Sequence, residues 1–270
     1  MSIWEILALF WSGLAAGAVN AVAGGGTLLT FPALLFTGTS AVVANATSSF
    51  ALTLGTVGGL FGFRNHWAST RRWLRLFVPI SIAGSLLGSW LVKRQGEEVF
   101  AQVVPWLILF ATGLFLLQGP LKQWREKRAS RILGLNVPAA DPQVNNNAAF
   151  AFSTCLALQA GVAVYGGYFG AGIGILMLAV MGFIGMNDLH QMNALKNLLA
   201  AVINGTAAIF FAISGLVDWP RMGIMLGGAV LGYWLGAHYS QKIPQSAVRR
   251  IVIAVGLTIS AAMFWKLLSP

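Results

Sequence analysis

Between Ile6 and Phe63, and again between Pro142 and Asn187, no side chain carries a charge. A spanning helix needs ~20 residues, so each of these stretches must hold more than one apolar segment. A soluble core this apolar on every side would aggregate. Across the chain 57% of residues are hydrophobic and 9% charged, against roughly 25% charged in soluble domains. The expected fold class is an all-α polytopic membrane protein whose solvent is the lipid bilayer.

The net charge of +10 is placed where topology would put it. Arg64, Arg71, Arg72 and Arg75 share one connection, and Lys122, Arg125, Lys127, Arg128 and Arg131 share another. Short basic loops between apolar segments follow the positive-inside rule. With no base-stacking aromatics among them and no soluble domain behind them, they do not imply a nucleic-acid partner.

Two stretches 148 residues apart read as copies of one hairpin, each broken by glycines. The first passes through Gly24, Gly25, Gly26, Thr27 and Pro32, then Asn45, Ala46, Ser48 and Ser49. The second passes through Gly170, Gly172 and Gly174, then Asn193, Ala194, Lys196 and Asn197. At this offset Asn20 aligns with Tyr168, Gly24 with Gly172, Gly26 with Gly174, Asn45 with Asn193 and Ser48 with Lys196. The match continues at a slightly different offset, where Ala83–Leu91 corresponds to Gly227–Leu235. Gly84 and Gly88, like Gly228 and Gly232, have the small-xxx-small spacing that lets helices approach closely.

The expected organisation is a first transmembrane repeat over 1–118, a basic cytoplasmic linker over 119–147 and a second repeat over 148–270. Spanning stretches fall at 3–22, 42–63, 74–92 and 100–118, with a half-helix at 27–36. They recur at 148–165, 192–213, 220–237 and 247–266, with a half-helix at 175–184. Each half thus has a Gly-broken helix and half-helix followed by three spanning helices. If the halves are inverted repeats, the connections at 64–75, 119–131 and 238–250 all face the cytoplasm. A parallel arrangement would leave Lys242, Arg249 and Arg250 outside. The inverted arrangement keeps most basic residues inside.

Broken backbone inside hydrocarbon costs several kcal/mol per unsatisfied group, so it survives where it lines a cavity or is buried in protein. A helix starting at Thr27 or at Ile175 would present free N–H groups and a partial positive charge, suited to an anion. Downstream, Asn45 and Ser49 are four apart, as are Asn193 and Asn197, and residues at that spacing share a helix face. Asn20 and Tyr168 join the same lining. Lys196, an ionisable side chain inside a span, is a functional candidate by default, with snorkelling toward the interface as its structural alternative. The expected substrate site therefore comprises Asn20, Gly24, Gly25, Gly26, Thr27, Asn45, Ser48, Ser49, Tyr168, Gly170, Gly172, Gly174, Asn193, Lys196 and Asn197.

Other chemistries find little support. No span has an interior Asp or Glu apart from Glu5 near the first end, which leaves a carboxylate proton relay without a candidate. His66, His190 and His238 sit at segment ends without metal-ligand spacing, and Ser48 and Ser49 lack a nucleophile motif. No catalytic residue, metal or cofactor is called for. Cys155 has no intrachain disulfide partner. Ala21–Ala23 looks like a signal-cleavage site, but the start has Glu5 and no Lys or Arg, and the glycine-rich pattern recurs internally. A cleaved signal is therefore not expected.

Gly24-Gly25-Gly26 with Pro32, Asn45-Ala-Thr-Ser48-Ser49 and Asn193-Ala194-Leu-Lys196-Asn197, set in a tandem glycine-broken repeat, resemble the TauE/SafE family of sulfite-exporter-like permeases over nearly the whole chain. The second copy departs from an unbroken glycine triplet, with Ile173 between Gly172 and Gly174, and lacks a match to Pro32. The resemblance implies a multi-pass protein of the bacterial inner membrane that exports a small sulfur-containing anion such as sulfite or a sulfonate. The alternative from another class is a passive anion or small-solute channel of the same build. Such an architecture is also compatible with a homo-oligomer.

Overall fold

A computed structural model describes residues 1–22, 25–60, 67–134, 146–183, 186, 189–239 and 245–268. Every regular element among them is a helix: α1 (Ile3–Val22), α2 (Thr27–Phe36), α3 (Ala41–Leu60), α4 (Trp67–Gly134), α5 (Asn146–Tyr168), α6 (Ile173–Phe183), α7 (Leu189–Ile213), α8 (Trp219–Tyr239) and α9 (Gln245–Leu268). Ile3–Ala21, Arg71–Leu117, Gln191–Ile213 and Ala247–Trp265 are long and apolar enough to cross a membrane. Thr27–Phe36, Ala41–Gly55 and Ile173–Gly182 are apolar but shorter.

The molecule exposes large apolar side chains, unlike a water-soluble bundle, and buries a set of hydroxyls within a mostly apolar interior. Trp11, Trp106, Trp234, Leu117 and Ile213 are more than half exposed, whereas Thr30, Ser48, Ser81, Ser85, Ser89 and Thr112 are fully buried. A buried hydroxyl must find an acceptor where no water is available; Thr112 Oγ1 donates within its helix to the Ile108 carbonyl (2.7 Å), and several others bond across helices. Ser85 Oγ donates to the Ile203 carbonyl (2.6 Å), Ser89 Oγ to that of Gly167 (3.0 Å) and Ser260 Oγ to that of Pro105 (3.0 Å), while Gln159 Nε2 donates to Ser81 Oγ (3.1 Å). An apolar exterior on helices of this length is that of a multi-pass membrane protein.

α4 unites two of the expected spans and continues into the basic linker as far as Gly134. Gly96 divides it into two arms with φ 77° and ψ −178°, a conformation open to glycine and strained for a residue with a Cβ. The second arm turns back on the first. Phe100 lies against Tyr168 (5.5 Å between ring centroids) and Phe110 against Tyr165 (5.3 Å), so the second arm ascends as α5 descends. The first arm runs with α5 instead, since Gly84 packs on Ala160 and Ala163, and Gly88 on Val164 and Tyr168.

Similar contacts fix the remaining directions. α1 and α8 run together, Gly13 meeting Met225, Gly17 Ala229, and Gly236 Ala18. α3 runs with α8, because the Asp218 N–H donates to Thr47 Oγ1 (3.0 Å), Phe50 packs on Trp219 (5.4 Å) and Gly55 on Ala229. The N–H groups of Ala41 and Val42 donate to the Glu97 carboxylate just past the first arm of α4. The chain joins the other end of α3 to the start of that arm, so the two are antiparallel. α9 opposes the second arm, with Trp106 against Phe264 (4.9 Å) and Gly256 on Thr112. α1, α3, α8 and the second arm of α4 thus point one way, and α5, α9 and the first arm of α4 the other. The first helix of each half packs against the third span of the other half through its glycines.

Candidate functional site

Both glycine-rich stretches interrupt the helices. After α1 the chain resumes at Gly25, with φ +97°, and Gly26. Asn20 Oδ1 accepts the Gly26 N–H (2.7 Å), and Leu28 N–H returns to the Gly25 carbonyl (3.0 Å) at the start of α2. After α5 the chain turns through Gly170 (φ +81°) and Gly172 (φ +77°). The Gly170 N–H returns to the Tyr165 carbonyl (3.3 Å), and the Tyr165 hydroxyl donates to the Ala171 carbonyl (2.7 Å). These positive φ values lie in a region costly for L-residues with a Cβ, which is why glycine stands there in both copies. Gly24 lies outside the described residues.

Both half-helices begin at the breaks, α2 at Thr27 and α6 at Ile173. The first N–H groups of a helix have no intrahelical acceptor and carry a partial positive charge. At the first break Asn20 takes one such donor. At the second, the residue aligned with Asn20 is Tyr168, whose hydroxyl accepts a hydrogen bond from Gln95 Nε2.

The two breaks converge. A side chain on Gly25 would enter the Phe115 ring, and one on Gly172 would stand 3.4 Å from Leu114 and 3.7 Å from that same ring. Phe31 of α2 packs edge-to-face on Phe169 at the second break, with ring centroids 5.5 Å apart.

A polar stripe on α3 faces this meeting point. Ser48 Oγ and Thr30 Oγ1 share a hydrogen bond of 2.5 Å, and Thr30 Oγ1 also donates to the Gly26 carbonyl (3.2 Å). Asn45 reaches the other half, its Nδ2 donating to the Tyr168 carbonyl (3.0 Å). That carbonyl fixes the orientation of the amide, since a flipped amide would set oxygen against oxygen. Asn45 Oδ1 is then left buried and without a partner among the described residues.

The stripe on α7 matches it. Lys196, half-buried, lays its stem beside Gly174, with its Cδ 3.3 Å from where a Cβ there would be, and no carboxylate among the described residues pairs with it. Asn204 Oδ1 lies 3.4 Å from the corresponding position on Gly170. The repeat mates Ser48 and Lys196 therefore each touch the half-helix of their own half. No hydrogen bond joins Lys196 to Asn45, Ser48 or Ser49. Thr27, Ser49, Asn193 and Asn197 are half-buried, and the Ser49 carbonyl is taken by Thr53 Oγ1 (2.7 Å).

Sequence reasoning missed Thr30, Gln95, Tyr165 and Phe115. Thr30 was findable as the hydroxyl one turn past Gly26. A phenylalanine in an apolar span has no distinguishing signal. A cleft of about 370 Å³ opens elsewhere, between α4 and α7, lined by Leu86, Lys93, Thr206, Phe210 and Ser214.

Inward-facing polar stripes, two facing helix breaks and a lipid-compatible exterior define a multi-pass membrane transporter. The chain belongs to the TauE/SafE sulfite exporter family, whose model, Sulfite exporter TauE/SafE, matches residues 9–263. It is similar to the probable membrane transporter protein YfcA of Escherichia coli (strain K12), with 29% identity over 260 residues, covering 95% of this chain and 88% of that one. A probable membrane transporter protein of Haemophilus influenzae is 28% identical over 258 residues, covering 95% and 93%. The probable membrane transporter protein ORF9 of a Sinorhizobium species is 25% identical over 273 residues, covering 97% and 91%. No solved structure matches the chain.

Proposed function

We propose that the protein is a secondary transporter that exports a small sulfur-containing anion, such as sulfite, a sulfonate or a related oxyanion, across the bacterial inner membrane. The observation that carries this reading is the meeting of the two glycine breaks at Phe115, with the heads of α2 and α6 and the polar stripes of α3 and α7 around them. In this account the substrate site lies between residues 1–118 and 148–270, joined by the linker over 119–147. The half-helix N-termini and Lys196 attract negative charge, while Asn45, Ser48 and the α7 amides orient the oxyanion.

The helix directions support a pair of inverted repeats. The mates α1 and α5, the first arm of α4 and α8, and the second arm of α4 and α9 each run in opposite directions. Transporters of this layout place their substrate at the repeat interface near the bilayer midplane and alternate access by moving one unit against the other. An anion leaving down an inside-negative potential gains roughly 2.3 kcal/mol per charge per 100 mV, so export needs no proton partner.

Flux into proteoliposomes, measured over a panel of sulfur oxyanions, sulfonates and carboxylates, tests the reading. Saturable flux with countertransport of sulfur anions is expected. Flux that scales linearly with concentration and lacks countertransport would identify a channel and overturn the carrier.

A further inference from the structure

We propose that Phe115 is the steric gate of this pathway and sets the size of the anion that passes. The inference rests on the transport reading above. The Phe115 side chain is fully buried; its ring fills the space that a side chain on Gly25 would enter and lies within van der Waals reach of one on Gly172. Those two glycines come from opposite halves, so a single ring stands between the two breaks. The lack of a side chain on Gly25 leaves the room the ring occupies.

The gate comes from one half alone. Ala111-Thr-Gly-Leu-Phe115 on α4 matches Ala254-Val-Gly-Leu-Thr258 on α9, which places an exposed threonine where Phe115 stands in the first copy. The aligned position in the second half carries no ring, so displacement of Phe115 widens the space beside the half-helix heads. The arm that carries it has the means to shift. Gly96 bends its start, Pro105 supplies no N–H to the helix, and a Cβ on Gly113, one half-turn before the ring, would have open space around it. The back of the same arm is held by α9 through Ser260 and Gly256.

A core phenylalanine that only packs would lower stability and reduce all fluxes in proportion when truncated; a gate changes access and size selectivity. The test uses the full chain in proteoliposomes, with Cys155→Ala and a reporter Thr27→Cys at the head of α2, and compares Phe115 with Phe115→Ala and the near-isosteric Phe115→Leu. The first readout is the rate at which a small charged methanethiosulfonate reagent modifies Cys at position 27. It should rise at least tenfold in Phe115→Ala and by an intermediate factor in Phe115→Leu. The second is the flux ratio of benzenesulfonate to sulfite in the parent and the two Phe115 variants without the reporter, which should rise at least tenfold in Phe115→Ala. An unchanged labelling rate in both variants would overturn the gate, as would a loss of both fluxes at constant ratio. Labelling needs no cargo. If the parent moves no sulfur anion but Phe115→Ala still speeds modification, the transport reading fails and the gate stands.

Discussion

Lys196 brings charge into α7 beside the head of α6, where an ammonium has little water to solvate it. Its stem follows Gly174, a position where any larger residue would crowd it. If it supplies positive charge to the anion site, Lys196→Met should weaken anion binding about tenfold or more, since a charge-assisted contact is worth about 1.5–3 kcal/mol. Lys196→Arg should retain part of the affinity, because the charge survives while its geometry changes. Concentration dependence of flux measures both. Parental affinity in Lys196→Met would make the residue a snorkelling anchor. At this scale the sequence set Asn45 with Ser49, and Asn193 with Asn197, on one helix face by their spacing, and aligned Ser48 with Lys196 as repeat mates. It could not show that Asn45 bonds the Tyr168 backbone in the other half, because a carbonyl partner leaves no trace in residue identity.

Most helices were legible one by one from uncharged runs and glycines, but not α4, which joins two expected spans through the Gly96 kink and continues into the linker as far as Gly134. The partners of the helices were not legible. Gly84 and Gly88, and Gly228 and Gly232, announce a face that packs closely without saying against what. The structure pairs the first two with α5 and the last two with α1, each across the two halves. A Cβ at Gly232 would collide with the Leu14 backbone, which cannot rotate aside as a side chain would. Overpacking typically costs about 1–3 kcal/mol, so Gly232→Leu should lower the melting temperature in detergent and part α1 from α8. On the same helix Gly223 has nothing within reach of an added methyl, and Gly223→Ala should leave stability unchanged or raise it by up to ~1 kcal/mol. Equal melting temperatures for Gly232→Leu and the parent would remove the glycine stripe as the contact between the halves.

For the whole molecule the basic connections and the helix directions agree on one orientation. Glu97 and the Asp218–Arg221 ion pair (2.5 Å) gather at the start of α3, where Arg221 also donates to the Thr37 carbonyl (3.1 Å). The basic connection at 64–75 lies at the other end of α3, so that end should be cytoplasmic. Because α9 opposes the second arm of α4, Gln123 and Gln245 fall on the same side. In a Cys155→Ala background, Gln123→Cys and Gln245→Cys should both label from the cytoplasm only. Labelling of the second from the periplasm alone would rule out the inverted arrangement.

In the proposed export cycle the two breaks together form the path of the anion. Sulfite flux in proteoliposomes under an imposed membrane potential tests it most directly, comparing the parent with Gly25→Leu and Gly172→Leu. Leucine at either site must adopt a strained positive φ and fill the space around Phe115. Saturable, potential-driven flux is expected in the parent, and its loss in both folded, membrane-inserted variants. Parental flux in both variants would contradict it, leaving the glycines to packing and the path elsewhere.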